Sequence, residues 1–210
     1  MISAELIDAG FPESGLNVHG ANEQTVSAFA QSGALVYAEI GVYEGDTTLE
    51  IARRLDGRGE IHLFDFEDKV AAVAARLKDA GFDNVVAHPN SRKLMDSYNW
   101  SLMALLREHA EPMFDYVFLD GAHTWAVDAL AFMLVDRLLK PGGRIEFDDY
   151  HWTIERSPSM NPDVFPASDR LFTREQMGER QVALVVDLLV RRDGRYEELV
   201  EDRVFRKGDG

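Results

Sequence analysis

Three aspartates and two histidines are the residues of this chain best suited to chemistry: Asp120, Asp148, Asp149, His123 and His151. Asp148 and Asp149 are adjacent, and His123 stands three residues after Asp120. On a helical segment that spacing puts Asp120 and His123 on one side. Carboxylates gathered in one place repel each other unless a proton or a cation relieves them. The chain has no cysteine, and hard oxygen donors without a thiolate suit Mg²⁺ or Ca²⁺ better than zinc. A histidine that titrates near neutral pH can take a proton from a hydroxyl. The chemistry this set could support is metal-assisted activation of a hydroxyl. His123 is the first candidate for the base and His151 competes with it. The same residue types also serve plain structural ends, since an aspartate caps a helix and a histidine bonds to a helix start.

A second group is Glu39, Gly41, Tyr43, Glu44, Gly45, Asp46 and Thr47. It reads as a glycine turn between a strand and a helix, with Asp46 or Thr47 placed to cap the first helical turn. Gly41 would let a ligand approach the backbone, and Gly45 would let the helix sit near the strand. Dinucleotides set a pyrophosphate on such a helix start, and three acids there would repel it. A ligand with an ammonium group and no phosphate fits better. The spacing is also E-x-G-x-x-x-G rather than G-x-G-x-x-G.

These groups need a scaffold. Residues 34–38 read as a first buried strand, and Leu49, Ala52 and Leu55 recur at helical spacing after it. Glu60–Phe64 is a second strand that closes on Asp65, where doubly wound folds hold a ribose diol. Phe66 could stack on a base or fill the core. Residues 69–80 form a helix, 85–88 a third strand, and Asn90 and Ser91 follow at a base edge. Residues 97–109 form another helix. Phe114–Leu119 is nearly all apolar, as a central parallel strand should be, and it ends in Asp120. A long helix then runs to Leu138-Leu139, where Lys140-Pro141-Gly142-Gly143 stops it. Strand five, Arg144–Phe147, ends in Asp148-Asp149. Residues 157–168 carry three prolines and read as part of a surface lid or substrate loop spanning 151–172. A helix over 173–189 and a hairpin of 196–200 with 203–206 complete the chain. Trp125, Tyr150 and Trp152 would wall an acceptor pocket.

The acid-glycine turn, the acid ending strand two and the L-K-P-G-G turn resemble the class I S-adenosylmethionine-dependent methyltransferases across residues 34–206. That resemblance implies a Rossmann-like three-layer α/β/α sandwich with a mostly parallel seven-stranded sheet. It implies a single domain over 1–210, with 1–33 as an N-terminal cover. It implies S-adenosylmethionine held by Glu39, Gly41, Tyr43, Gly45, Thr47, Asp65, Phe66, Asn90, Ser91 and Asp120. The strand-end acids are similar to those of metal-dependent O-methyltransferases of the catechol and macrolide-sugar types, where such residues hold Mg²⁺. Asp120, Asp148 and Asp149 match those positions. Asp149 is closer to the sugar type, because the catechol type has Asn there. The catechol type has Lys where His123 stands. The sugar type has an acidic base where Ala122 stands. The activity implied is O-methylation of a small-molecule hydroxyl on a sugar, natural product or aromatic diol, with His123 and Asp120 catalytic. A metal-independent methyltransferase, a nicotinamide-dependent oxidoreductase and a non-catalytic nucleoside-binding module are the rival readings.

Bulk properties limit the partners. The 210 residues suit one domain with a sizeable core, and 46% hydrophobic content fits a folded chain. Net charge is −15, from 22 basic and 37 acidic residues, so phosphate backbones are repelled and nucleic acid is not expected. Met1–Glu5 lacks a basic stretch and a long apolar run. The expectation is a cytoplasmic chain without signal peptide or membrane span, acting on a small molecule, with self-association into a homo-oligomer left open.

Overall fold

The computed structural model describes residues 20–209. The N-terminal cover expected over 1–33 therefore lies mostly outside the described residues. Within them, a short helix α1 (Glu23–Ala30) precedes four strand–helix repeats and a fifth strand. These are β1 (Val36–Ile40), α2 (Asp46–Leu55), β2 (Glu60–Phe66), α3 (Glu67–Asp79), β3 (Val85–Asn90), α4 (Tyr98–Glu108), β4 (Phe114–Leu119), α5 (Trp125–Leu138) and β5 (Leu139–Phe147). The short helices α6 (Ser168–Leu171), α7 (Arg174–Gly178) and α8 (Gln181–Val185) follow, then β6 (Tyr196–Val200) and β7 (Val204–Lys207). The strands form one seven-stranded sheet in the order β3-β2-β1-β4-β5-β7-β6. β1 to β5 pair in parallel, and β7 runs antiparallel to both β5 and β6. This is the Rossmann-like sandwich with a mostly parallel sheet.

Period-two alternation divides the core into two layers. Tyr37, Ile61, Leu63, Tyr116 and Phe118 face α1, α2 and α3, where they meet Phe29, Ile51, Leu55, Val73 and Leu77. Ala38, Phe64, Val117, Leu119 and Phe147 face α4, α5 and α8, where they meet Leu102, Leu105, Phe132, Val135 and Val182. Strands apolar on both faces, such as β4, fold this way because helices cover both sides of a parallel sheet.

Several boundaries differ from the sequence reading. β1 begins at Val36 and continues through Glu39 and Ile40, because these still pair with β2 and β4. Leu35, expected inside, is 46% exposed. β5 starts at Leu139, so the Lys-Pro-Gly-Gly turn lies within the strand. Leu139 pairs with Phe114, the register then shifts, and pairing resumes at Arg144 opposite Tyr116. The helix expected over 173–189 is broken. Thr173 and Gln176 form a reciprocal cap for α7. The chain is extended at Glu179. Gln181 then begins α8, its side chain accepting from Trp125 N at 2.8 Å and donating to Gln176 O at 2.8 Å. After Val185 the helix widens into a π-helical turn, Val186–Val190. The expected lid region holds a 3₁₀ turn at Ile154–Arg156 and bonds of its own. Ser157 Oγ accepts from Met160 N at 3.0 Å, and Ile154 and Ser157 are buried. No helix among the described residues is long and apolar enough to cross a membrane.

The sheet edge contains a paired histidine. His62 Nδ1 lies 2.9 Å from His88 Nε2 across β2 and β3, and the rings stack with centroids 5.2 Å apart. One proton is shared where two would be needed to charge both rings. Burial lowers the His62 pKa, and burial with His62 lowers that of His88 from 6.5 to about 4. The folded form thus resists protonation that the unfolded chain accepts. The stabilising contribution is full above pH 6.5 and is lost as pH falls from about 6.5 towards 4. We expect the denaturation midpoint to decline over that window in urea titrations at successive pH values. His88→Gln should flatten the decline; an equal slope in the variant would remove the pair as its cause.

Candidate active site

The register of the parallel strands assembles the site. Leu119 of β4 pairs with Phe147 of β5, so the next residues, Asp120 and Asp148, emerge side by side. Ile40 pairs with both Phe64 and Leu119, which puts Gly41 beside Asp65 and Asp120. The crevice opens between β1 and β4, where the strand order reverses and α/β sheets bind ligands. Gly41 has φ +89°, and a Cβ there would lie 1.9 Å from the Asp120 carbonyl oxygen. Its need for glycine thus comes from the neighbouring chain, not from a ligand. Gly45 is likewise fixed by α3, since its Cβ would meet Val73 Cγ1 at 2.6 Å.

On the β4–β5 side, Asp120, His123 and Asp149 come together, each offering a ligand atom within 4.8 Å of the others. His123 Nε2 is 3.7 Å from Asp120 Oδ1 and 3.6 Å from Asp149 Oδ2. Trp152 lies against the His123 ring, with centroids 5.3 Å apart. Burial, then Asp148 and Asp149, hold the Asp120 carboxyl well above the usual carboxylate range. Burial also raises Asp149, against the opposing pull of His123. Asp148 takes a different partner. Its Oδ1 accepts from Arg203 Nη1 at 2.8 Å. Arg203 also donates to buried Glu146 and, at 3.0 Å, to Thr25 Oγ1. Tyr116 completes the network on Glu146. Glu146, Thr25, Asn22 and Arg203 were not singled out from the sequence. A glutamate amid the apolar residues of strand five was the available signal, because a buried charge requires a partner.

His151 is placed differently from His123. Its Nδ1 is 3.1 Å from Arg180 Nη1, and a guanidinium only donates, so Nδ1 accepts and the proton sits on Nε2. That Nε2 faces Asp202 Oδ2 at 3.8 Å. Tyr150 and Trp152 line a cavity of about 420 Å³ with Asp149, Glu201, Asp202 and Arg203. Trp125 is not among its lining residues.

On the β1–β3 side the expected cofactor residues are placed differently from one another. Asp65, Phe66 and Asn90 meet at adjacent strand ends, with Phe66 paired to Asn90. Asp65 accepts from Val42 N at 2.9 Å and from Phe66 N at 2.6 Å, which fixes its carboxylate against the turn. Asn90 Oδ1 is buried without a partner, an acceptor awaiting a donor. Ser91 is committed to Asp96, which accepts from its N at 2.7 Å and its Oγ at 2.6 Å. Arg92 stacks on Phe66 at 4.3 Å from the ring centroid. Glu39 is only 3% exposed and accepts from Tyr37 and Thr48 Oγ1, at 3.1 and 2.7 Å. Burial pushes its pKa up to about 8, so it is largely neutral at pH 7. Tyr43 adopts φ +45° within the turn.

The turn is less acidic than its sequence suggests. Besides the neutral Glu39, Asp46 is paired with Arg76 at 2.6 Å. The expected cap from Asp46 or Thr47 is absent, because Gly45 occupies the N-cap position. Asp46 Oδ2 instead accepts from Gly20 N at 3.0 Å, and Thr47 Oγ1 from Asn22 N at 2.9 Å. Asn22 also reaches Asp148 Oδ2 at 3.5 Å. Residues 20–22 thus bridge the two halves of the crevice.

His123 and Asp149 both sit in the left-handed region, at φ +53° and +57°. Residues with a Cβ pay for that conformation, on the order of 1–2 kcal/mol each. Asp149→Gly should relieve the strain and one carboxylate repulsion. We expect a gain of about 0.5–1 kcal/mol in urea unfolding, together with loss of activity. A loss of stability instead would show that Asp149 is held by favourable contacts rather than against strain.

Solved structures share this architecture. An O-methyltransferase from Bacillus cereus in complex with SAH matches with a TM-score of 0.62 and 18% identity, covering 97% of this chain and 87% of its own. The SAH-bound Podospora anserina methyltransferase PaMTH1 matches at 0.58 and 20% identity, covering 88% and 76%. The O-methyltransferase TomG from Streptomyces achromogenes, involved in tomaymycin synthesis and in complex with SAM, matches at 0.51 and 18%, covering 81% and 78%. At these identities the likeness is one of fold. No curated protein matches the sequence. A family described as a methyltransferase domain matches residues 38–150, more than half of the chain, and the chain belongs to that family.

Proposed function

We propose that this methyltransferase carries a methyl group from S-adenosylmethionine to a hydroxyl of a small molecule, with a divalent cation orienting the acceptor. The observation that carries the reading is the meeting of Asp120, His123 and Asp149 at the ends of β4 and β5, beside the crevice. The SAH and SAM named with the solved neighbours support the choice of cofactor.

The cofactor half fits an adenosine. Asp65 retains free lone pairs for a ribose diol, and the orphaned Asn90 Oδ1 suits an exocyclic amine. S-adenosylmethionine supplies the electrophilic methyl. The acceptor half fits a hard cation. Asp120 and Asp149 present oxygens beside one another, both raised by burial and repulsion that a cation would relieve. A divalent ion held by Asp120 and Asp149 would supply Lewis-acid chemistry, making an acceptor hydroxyl easier to deprotonate. His123, with Nε2 3.7 Å from Asp120 Oδ1 and 3.6 Å from Asp149 Oδ2, is placed to take the hydroxyl proton. Trp152, packed on its ring, holds the imidazole in place. Alignment of acceptor and methyl contributes the rest.

One observation favours a metal-free variant of the same reaction: Arg203 already supplies a positive charge to Asp148. Removal of divalent ions separates the two readings. With a metal, turnover should vanish in excess chelator and return with Mg²⁺; full turnover after exhaustive dialysis would leave the metal-free reaction. His123→Ala should lower kcat by roughly 10²–10⁴-fold with cofactor affinity nearly intact. The same loss in His151→Ala, with His123→Ala active, would transfer the role of base. Asp65→Ala should weaken S-adenosylmethionine binding by on the order of 1.5–3 kcal/mol in calorimetry. Unchanged affinity would take Asp65 out of the site.

A further inference from the structure

The cavity of about 420 Å³ beside the reacting centre is large enough for a small acceptor. It joins that centre through Asp149, which also faces His123, and through Trp152, which covers the His123 ring. Its lining includes the rings of Phe147, Tyr150, His151 and Trp152. The β6–β7 turn also lines it, with Glu201, Asp202 and Arg203.

The charges of this lining are unequal. Arg203 is the one guanidinium among the lining residues, and it is already committed to Glu146, Asp148 and Thr25. Asp202 Oδ1 accepts from Arg191, at 2.6 Å. Glu201 is exposed and has no partner among the described residues. Arg180 and Arg191 are the other cations at hand. Arg191 lies 5.5 Å over the Tyr150 ring, is held by Asp187, Glu198 and Asp202, and does not line the cavity. Arg180 is exposed, lies 5.5 Å over the Tyr150 ring, donates to His151 and does not line the cavity. A ligand in the cavity therefore meets both aromatic side chains and an uncompensated carboxylate.

We infer that this cavity selects acceptors that carry a protonated amine, with Glu201 as the group that recognises the cation. The inference rests on the methyl-transfer reading for the direction in which the hydroxyl points, but not for binding itself. An ammonium near Glu201 gains Coulomb energy, and its apolar ring rests on Tyr150 and Trp152. A carboxylate or phosphate beside Glu201 is repelled. In a chain of net charge −15 the wider field acts in the same sense.

Three catechols matched in ring and hydroxyls test this: one with a 2-aminoethyl arm, one with a methyl arm and one with a carboxymethyl arm. Calorimetric binding to the protein with Mg²⁺, without cofactor, should favour the amine over the methyl compound by about tenfold, with the acid weakest. The preference should shrink as salt rises. Glu201→Gln should reduce it to within about threefold, and Glu201→Lys should reverse the order of amine and acid. Reversal is a result that a merely structural role could not give. Equal binding of the three, no binding of any, or a preference unmoved in both variants would overturn the inference. Methyl transfer is measured separately. Amine-selective binding without transfer would count against the transferase reading and leave this inference standing.

Discussion

The structure depends on where a parallel sheet leaves its carboxylates. Adjacent parallel strands lie about 4.8 Å apart, so acids that end β4 and β5 in register are forced together. The backbone pairing that creates the crevice also creates the repulsion within it. Arg203 relieves part of it from below by joining Asp148 to Glu146. His123 stands against the remaining pair, Asp120 and Asp149. The site is held between a structural cation on one side and a titratable base on the other.

A second constraint is proximity of backbones. Gly41 accepts no side chain because the Asp120 carbonyl lies over it. The methyltransferase turn and the end of β4 are thus one rigid unit. Against this unit Tyr43, His123 and Asp149 adopt left-handed conformations around the crevice. Strain of this kind persists only where surrounding packing over-determines the chain. Here the packing is the two apolar layers on either side of β1 and β4.

Much of this was legible in the sequence because its signals are local. Apolar runs gave the strands, and acids just past them gave Asp65, Asp120 and Asp149. The hairpin of β6 and β7 was readable for the same reason. What stayed hidden depends on distance along the chain. Arg203 and Asp148 are 55 residues apart, and Asn22 and Asp148 are 126 apart. No periodicity reports such contacts. Glu39 looked like a charge beside a ligand, yet burial makes it largely neutral, and only the fold determines burial. The helix expected over 173–189 failed for another reason: apolar spacing continued across a break that Gln181 stabilises by bonding elsewhere.

The reversed direction of β7 has a consequence for how the protein is made. Because β7 runs against β5, its beginning lies at the edge where the parallel strands end, and Arg203 just precedes it. Synthesis delivers Glu146, Asp148 and every parallel strand of the reacting edge well before it delivers Arg203. A nascent chain halted after β5 would have to bury Glu146 with no guanidinium to meet it, which is costly. The reacting edge is therefore complete only once the hairpin of β6 and β7 is docked against β5. Completing the site and completing the sheet require the same contact.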